Sequence, residues 1–202
     1  MAAQGTREWH YQRLAKITGT RIHDVIVEAK GAQKVFDEIL HELETGELPE
    51  EIDNEYMAHG RETEPVAAEW YGLVQGELLE IVDFIPHPAP DLKNWCGASP
   101  DRLVVGRNKY IEIKCPATKA HSNFCKNRNI PVRYQSQMLL QMAVSPEIES
   151  VDFVSFDDRE ENYEGIEHYE VIAIKNFPRD RERIEAMEET IRKFIMRLKK
   201  AL

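Results

Sequence analysis

The sequence predicts an α/β fold in which a central mixed β-sheet is flanked by helices. Two patterns lead to this fold class. Runs rich in β-branched residues occupy the middle of the chain, and stretches with apolar residues at helical spacing lie on either side of them. Of 202 residues, 42% are apolar, which is enough to bury a sizeable core and too many for a disordered chain. Because no repeat or low-complexity linker divides residues 1–202, we expect a single domain.

Helices are predicted in the first third of the chain. The first has Trp9 and Arg13 on one face and ends at the turn around Gly19. The second ends at Gly46, and Pro65 predicts a kink or a restart in the third. These helices span about Thr6–Ala15, Thr20–Leu43 and Asn54–Tyr71, with a polar connection at 47–53.

Strands dominate the prediction for the rest of the chain. Two β-rich runs around Gly106 predict a hairpin, and apolar residues three or four apart predict a C-terminal amphipathic helix. The predicted strands are Leu78–Phe84, Arg102–Val105, Lys109–Lys114, Val151–Phe156 and His168–Ile174, and the predicted helices are Tyr134–Val144 and about 178–202.

The charge of the chain is unevenly distributed. With 26 basic and 36 acidic residues the net charge is −10, which by itself argues against a nucleic-acid partner. Residues 102–133, however, carry eight basic side chains and one acidic side chain, interleaved with Tyr110, Phe124 and Tyr134. This stretch therefore favours an anionic ligand.

The location of the protein is predicted from what the sequence lacks. No apolar run approaches the ~20 residues that span a bilayer, so no membrane partner is expected. The first thirty residues lack the apolar segment of a signal peptide. The three cysteines, Cys96, Cys115 and Cys125, form no CxxC pair. We therefore expect a cytoplasmic protein without disulfides.

Three charged residues are expected to converge on the hairpin. Side chains on a strand alternate faces, so Glu112 and Lys114 project together while Ile111 and Ile113 face the other way. A hairpin loop with an even number of residues places Asp101 opposite Glu112 or Lys114, whereas a three-residue loop separates them.

The chemistry of this group indicates metal-dependent phosphodiester hydrolysis. Opposed residues have Cβ atoms about 5 Å apart, so two carboxylates repel each other unless a cation lies between them. Mg²⁺ takes oxygen ligands from carboxylates, water and phosphate, and a lysine stabilises charge that develops on phosphate. The alternative is that Asp101 caps a turn while Glu112 and Lys114 only solvate a strand.

Pro100-Asp101 followed by Glu112-Ile113-Lys114 resembles the PD-(D/E)xK nuclease motif. Further matches make the chain similar, over roughly residues 5–175, to the phage lambda-type exonucleases, a viral recombinase family. The matching segments are Trp9-His10, Arg13-Leu14, Ile17-Thr18, Ser99-Pro100-Asp101 and Glu112-Ile113-Lys114-Cys115-Pro116.

The resemblance implies a restriction-endonuclease-like core and a Mg²⁺-dependent exonuclease, with two ions expected and Mn²⁺ as a substitute. Such enzymes enter double-stranded DNA at an end, digest the 5′-terminated strand and leave a 3′ single strand for a single-strand-annealing protein. Many are ring-shaped homotrimers. For a protein encoded by a phage or prophage, the compartment is the cytoplasm of the bacterial host.

The resemblance also assigns roles to individual residues. The catalytic residues are Asp101, Glu112, Lys114 and Gln137. The metal ligands are Asp101, Glu112, the backbone carbonyl of Ile113, and Glu64, for which Glu62 is a rival. The residues that bind the 5′-phosphate and DNA are Arg13, Thr18, Thr20, Ser99 and Tyr134.

Two other functions remain open at this stage. An endonuclease of the same superfamily, such as a junction resolvase or a restriction-like enzyme, uses the same three charged residues but cuts closed circles. A DNA-end-binding recombination protein without catalysis retains the fold and loses the chemistry.

Overall fold

The computed structural model describes residues 4–27, 30–48, 54–159, 162–166 and 168–202. Its helices are α1 (Arg7–Arg13), α2 (Ile22–Val27), α3 (Lys30–Thr45), α4 (Glu55–Gln75), α5 (Thr118–Asn127), α6 (Val132–Val144) and α7 (Arg181–Ala201). Its strands are β1 (Leu79–Ile81), β2 (Ile85–Pro86), β3 (Gly97–Ala98), β4 (Arg102–Val104), β5 (Lys109–Lys114), β6 (Ser150–Phe156) and β7 (Ile172–Pro178).

Five strands form a mixed sheet in the order β1-β4-β5-β6-β7. β4 and β5 are antiparallel, β5 and β6 are parallel, and β6 and β7 are antiparallel. A parallel pair needs a crossover connection, which here contains α5 and α6. The central position of β5 places its charged residues in the middle of the sheet. The sheet is mixed and flanked by helices, as the sequence predicts.

The core lies on both faces of this sheet. One face packs against α2, α3, α6 and α7, and the fully buried residues of these helices include Ile39, Met138 and Ile191. The other face packs against α4 through Tyr71 and includes Ile111 of β5. Strand β5 is therefore covered on both sides, so charged side chains on it are buried together with the apolar ones.

The hairpin of β4 and β5 has the register that brings the predicted residues together. Arg102 pairs with Ile111, and Leu103 pairs with Tyr110. Continuing this register by one residue puts Asp101 opposite Glu112. This is the arrangement expected of a loop with an even number of residues.

Several boundaries differ from the sequence predictions. Helix α5 was not predicted, and β7 begins four residues later than the expected start at His168. Helix α4 runs without a break through Pro65, whose ring lies on the exposed side of the helix. The predicted second helix appears as α2 and α3, and residues 28–29 between them lie outside the described part, as do residues 49–53 of the predicted connection.

The apolar stripe of the C-terminal helix is buried within the chain. Ile184, Met187, Ile191, Phe194 and Leu198 of α7 are each less than 5% exposed. In the described ranges, none of the helices combines the length and the apolar composition of a bilayer span.

Candidate active site

A cleft of about 1160 Å³ opens above the β4–β5 hairpin and is bounded by α1, α4 and α6. Almost all the residues singled out in the sequence line it, namely Arg13, Thr18, Thr20, Glu64, Ser99, Asp101, Ile113, Lys114, Tyr134 and Gln137. Glu112 lies fully buried beside the cleft. Segments that are far apart in the chain therefore meet at one site.

Lys114 contacts Glu112 directly, and Asp101 is held by the backbone of the residue between them. The Nζ atom of Lys114 contacts Oε1 of Glu112. The backbone N–H of Ile113 donates to Oδ2 of Asp101 at 2.6 Å. The remaining oxygen of Glu112, Oε2, accepts from Nε2 of Gln141 at 2.5 Å. The geometry therefore gives the three charged residues fixed positions at the base of the cleft.

Burial and mutual repulsion act on these charges. Burial raises the pKa of Asp101. Burial and the nearby Asp101 together raise the pKa of Glu112 to about 7. Burial alone would lower the pKa of Lys114, but the attraction of Glu112 and Asp101 outweighs it and raises that pKa. The lysine thus keeps its charge, while the two carboxylates ionise less readily than ordinary acids.

Glu64 reaches the same group from α4. Its Oε1 atom accepts from Arg102 at 2.9 Å, and burial together with the nearby Asp101 raises the pKa of Glu64. Because Pro65 does not break the helix, Glu64 faces the cleft, whereas Glu62 is exposed and does not line it. The structure therefore places Glu64 rather than Glu62 beside Asp101.

These acids have the chemistry that a hard divalent cation requires. Their metal-binding atoms are carboxylate oxygens. Because the pKa of each of the three acids is raised, a bound cation would stabilise their ionised form. Oδ1 of Asp101 and Oε2 of Glu64 accept no hydrogen bond from the described residues. No three His, Cys, Asp or Glu side chains in this part of the chain form a complete metal cluster. Mg²⁺ fills part of its coordination shell with water and substrate phosphate.

A second part of the cleft contains a half-buried guanidinium. Arg13 lies over the ring of Trp9, with 3.8 Å between its Cζ atom and the ring centroid. The indole of Trp9 donates to Oγ of Ser99 at 3.1 Å. Burial, with a contribution from Arg21, lowers the pKa of Arg13 to about 10, which leaves it charged at neutral pH. No carboxylate of the described residues forms an ion pair with Arg13, so its charge is available to an anion.

The hydroxyl groups of Thr18 and Thr20 lie 3.1 Å apart in the turn between α1 and α2, the threonine turn. Gln137 of α6 packs against this turn at Gly19, where a Cβ atom would lie 2.9 Å from Cγ of Gln137. Tyr134, one helical turn earlier, has its ring 5.3 Å from Nζ of Lys114. Helix α6 therefore lies between the charged group and the threonine turn.

Gln141, Arg21 and Glu42 also line the cleft, although no sequence motif assigns them a role. Gln141 lies four residues after Gln137, and this helical spacing was a usable signal. Glu42 lies in an acidic stretch where nothing in the sequence distinguishes it from its exposed neighbours.

The chain is similar to known proteins in both sequence and fold. Residues 8–147 match the family described as the YqaJ-like viral recombinase domain. The crystal structure of LHK-Exo, an alkaline exonuclease from Laribacter hongkongensis, has 32% identity and a TM-score of 0.85, and the match covers 97% of this chain and 94% of that one. The structure of LHK-Exo in complex with dAMP has 34% identity, the same coverage and the same TM-score.

A phage-related exonuclease from Haemophilus somnus 129PT shares the fold at 18% identity and a TM-score of 0.61, covering 91% of this chain and 96% of that one. No curated protein matches the chain. These matches confirm the predicted α/β fold class with a restriction-endonuclease-like core, and they confirm the resemblance that the motifs indicated. The chain belongs to the YqaJ-like viral recombinase family.

Proposed function

We propose that this protein is a Mg²⁺-dependent exonuclease that hydrolyses the 5′-terminated strand at the ends of double-stranded DNA. The products are 3′ single-stranded overhangs for single-strand-annealing recombination. The observation that carries the proposal is that Asp101 and Lys114 line, and Glu112 adjoins, a cleft that also holds Arg13, which forms no ion pair with a carboxylate of the described residues. The related LHK-Exo is an alkaline exonuclease crystallised with dAMP, a deoxynucleoside monophosphate of the kind that an exonuclease releases.

In this proposal Asp101, Glu112, Glu64 and the backbone carbonyl of Ile113 hold two Mg²⁺ ions, for which Mn²⁺ can substitute. When bound, such ions neutralise charge on the scissile phosphate and provide Lewis acidity for attack by water. Lys114 remains protonated because two acids surround its ammonium group, and it stabilises negative charge that develops on the phosphate.

The other residues of the cleft orient the DNA. Arg13 provides a planar pair of donors that matches phosphate oxygens, and Thr18, Thr20 and Ser99 add hydroxyl donors. Together these four residues bind the terminal 5′-phosphate. Gln137 lies between this pocket and Lys114, and so acts beside the scissile phosphate.

Tyr134 contacts the DNA next to the catalytic lysine. Residues 1–202 act as one nuclease domain that includes the C-terminal helix at 178–202. The protein assembles as a homotrimeric ring, works with a single-strand-annealing protein, and acts in the cytoplasm of a bacterial host.

A linear duplex labelled separately at each 5′ and 3′ terminus tests this function. We expect release of nucleotides from 5′ ends in the presence of Mg²⁺, faster with a 5′-phosphate than with a 5′-hydroxyl. Asp101→Ala abolishes the reaction, whereas Asp37→Ala, which removes an exposed acid on α3, does not. Release from 3′ ends contradicts the proposed polarity.

Closed circular DNA separates the alternatives. Cleavage of the circle indicates an endonuclease of the same superfamily. DNA binding without any hydrolysis by the wild-type protein indicates a non-catalytic end-binding protein.

A further inference from the structure

Glu42 of α3 is a buried acid behind the threonine turn, with only 4% of its surface exposed. Its Oε2 atom accepts from the backbone N–H of Ala15 at 2.7 Å and from Nη1 of Arg21 at 3.1 Å. Its Oε1 atom contacts Nη2 of Arg21. One carboxylate thus contacts both the start and the end of the segment 15–21.

Both ends of this segment are held in place by these contacts. Ala15 has a φ of +54°, a left-handed conformation that residues other than glycine rarely adopt. Its N–H group is bonded to Glu42. Arg21 also donates to the backbone carbonyl of Lys16 at 3.2 Å, so the guanidinium joins the turn to α3.

The segment between these anchors carries the hydroxyl groups of the proposed phosphate pocket, Thr18 and Thr20. Arg21 and Glu42 line the same cleft as Arg13. Glu42 neutralises Arg21, whereas Arg13 forms no ion pair with a carboxylate of the described residues. Glu42 therefore affects both the position of the turn and the charge of the pocket.

We propose that Glu42 is a positioning residue for recognition of the DNA end: by fixing the segment 15–21, it determines the preference for a 5′-phosphate over a 5′-hydroxyl terminus. This inference rests on the proposed function and extends it to a residue that touches no reacting atom. Glu42 acts through the turn, so its loss changes discrimination between ends more than it changes the hydrolysis step.

The experiment compares Glu42→Ala and Glu42→Gln with the wild-type protein on duplexes that differ only in the terminal phosphate. The control is Glu38→Gln, one turn earlier on α3, which removes a half-exposed partner of Arg21 at 3.4 Å without touching Ala15. The readouts are kcat and KM for both ends, and fluorescence anisotropy of both duplexes in EDTA, where binding occurs without cleavage. Thermal unfolding checks that each variant is folded.

We expect the ratio of kcat/KM for phosphorylated over hydroxyl ends to fall about tenfold in Glu42→Ala, the size expected for loss of charge-assisted hydrogen bonds. The change should lie mainly in KM and appear equally in the anisotropy. Glu42→Gln keeps an acceptor for Ala15 but loses the charge, so the ratio should fall less in this variant. Glu38→Gln should retain the wild-type ratio. If Glu42→Ala does not fold, Glu42→Gln provides the test.

An unchanged or increased ratio in a folded Glu42 variant overturns the inference, as does an equal loss on both ends. If wild-type protein does not distinguish the two ends, both this inference and the proposed 5′-phosphate recognition fail. If wild-type protein distinguishes the ends and the Glu42 variants do so equally well, only this inference fails.

Discussion

Glu112 is buried between the ammonium group of Lys114 and the amide of Gln141, and this location makes its charge depend on the contents of the cleft. Burial and Asp101 raise its pKa to about 7 from an ordinary value of 4.5. The folded, metal-free protein therefore retains this proton at pH values where the unfolded chain has released it. A bound cation reverses the preference because it stabilises the carboxylate.

The pH dependence of stability follows from that shift. The folded state binds the extra proton between pH 4.5 and about 7, so the contribution of Glu112 to stability is complete below that window and is lost as pH rises through it. In EDTA, we expect the unfolding temperature of wild-type protein minus that of Glu112→Gln to fall across this window. Adding Mg²⁺ at pH 8 should raise the difference again.

Differential scanning fluorimetry from pH 4 to 9, with and without EDTA, measures this difference. Glu62→Gln, which removes an exposed acid on α4, is the matched control and should show no such step. A constant difference between wild type and Glu112→Gln would show that the carboxyl group is not held as the structure describes.

The sequence predicts the position of a site residue better when local strand geometry determines it than when tertiary contacts do. Strand alternation and loop parity are local properties, so the sequence can predict that Asp101 faces Glu112 across the hairpin, in agreement with the observed register. Gln141 and Glu42 were missed because their importance arises from tertiary contacts with Glu112 and Ala15. Nothing in the residues around Glu42 indicates which acid of that stretch is buried.

At the scale of elements, the contact between the threonine turn and α6 connects the two parts of the cleft. Gly19 allows Gln137 to lie against the turn, because any Cβ atom at that position would come within 2.9 Å of the Gln137 side chain. The obstacle is a flexible side chain rather than backbone, so Gln137 moves while the fold stays intact. Gly19→Ala should therefore reduce activity without a large loss of stability.

We expect Gly19→Ala and Gln137→Ala each to lower kcat by about tenfold, the size expected for loss of one hydrogen bond from the Gln137 amide. The double variant should be no worse than Gln137→Ala alone, because the effect of Gly19→Ala passes through Gln137. Single-turnover kinetics of the wild type, the two single variants and the double variant measure the coupling. Additive losses would mean that Gly19 acts independently of Gln137.

The sequence predicts helices and strands well where the apolar periodicity is strong. It predicts them less well where strand pairing or helix packing determines the boundaries of the element. Helix α5 was missed because its buried residues are few, with His121, Phe124 and Cys125 at helical spacing in a polar segment. Strand β7 extends to Pro178 because it pairs along the whole of β6. Helix α4 continues through Pro65, so the restart that this proline could cause does not occur, and the ring lies on the exposed side of the helix.

For the whole molecule, folding redistributes the charge that the sequence concentrates in residues 102–133. Five of the eight basic residues there form ion pairs with acids: Arg102 with Glu64, Arg107 with Glu77, Lys109 with Asp152, Lys114 with Glu112, and Arg128 with Glu170. Arg13 and Arg21, from outside that stretch, line the cleft. The net charge of a run in the sequence therefore overstates what the folded surface offers to DNA.

Lys119 and Arg133 are exposed members of that stretch that form no ion pair within the described residues. Each lies within three residues of a cleft-lining residue, Pro116 and Tyr134 respectively. We expect duplex DNA whose end enters the cleft to pass these side chains. We expect Lys119→Ala/Arg133→Ala to weaken binding equally for phosphorylated and hydroxyl ends, because contacts with internal phosphates do not report on the terminus.

The measurement is the affinity for a duplex in EDTA as a function of salt concentration. Each phosphate contact contributes about 0.9 to the slope of log affinity against log salt, so the double variant should lower the magnitude of that slope by about 2. Lys93→Ala/Lys200→Ala removes the same charge from exposed positions that do not line the cleft, and should leave the slope unchanged. If both double variants change the slope equally, general charge rather than a defined DNA path accounts for binding, and the duplex does not run along α5 and α6.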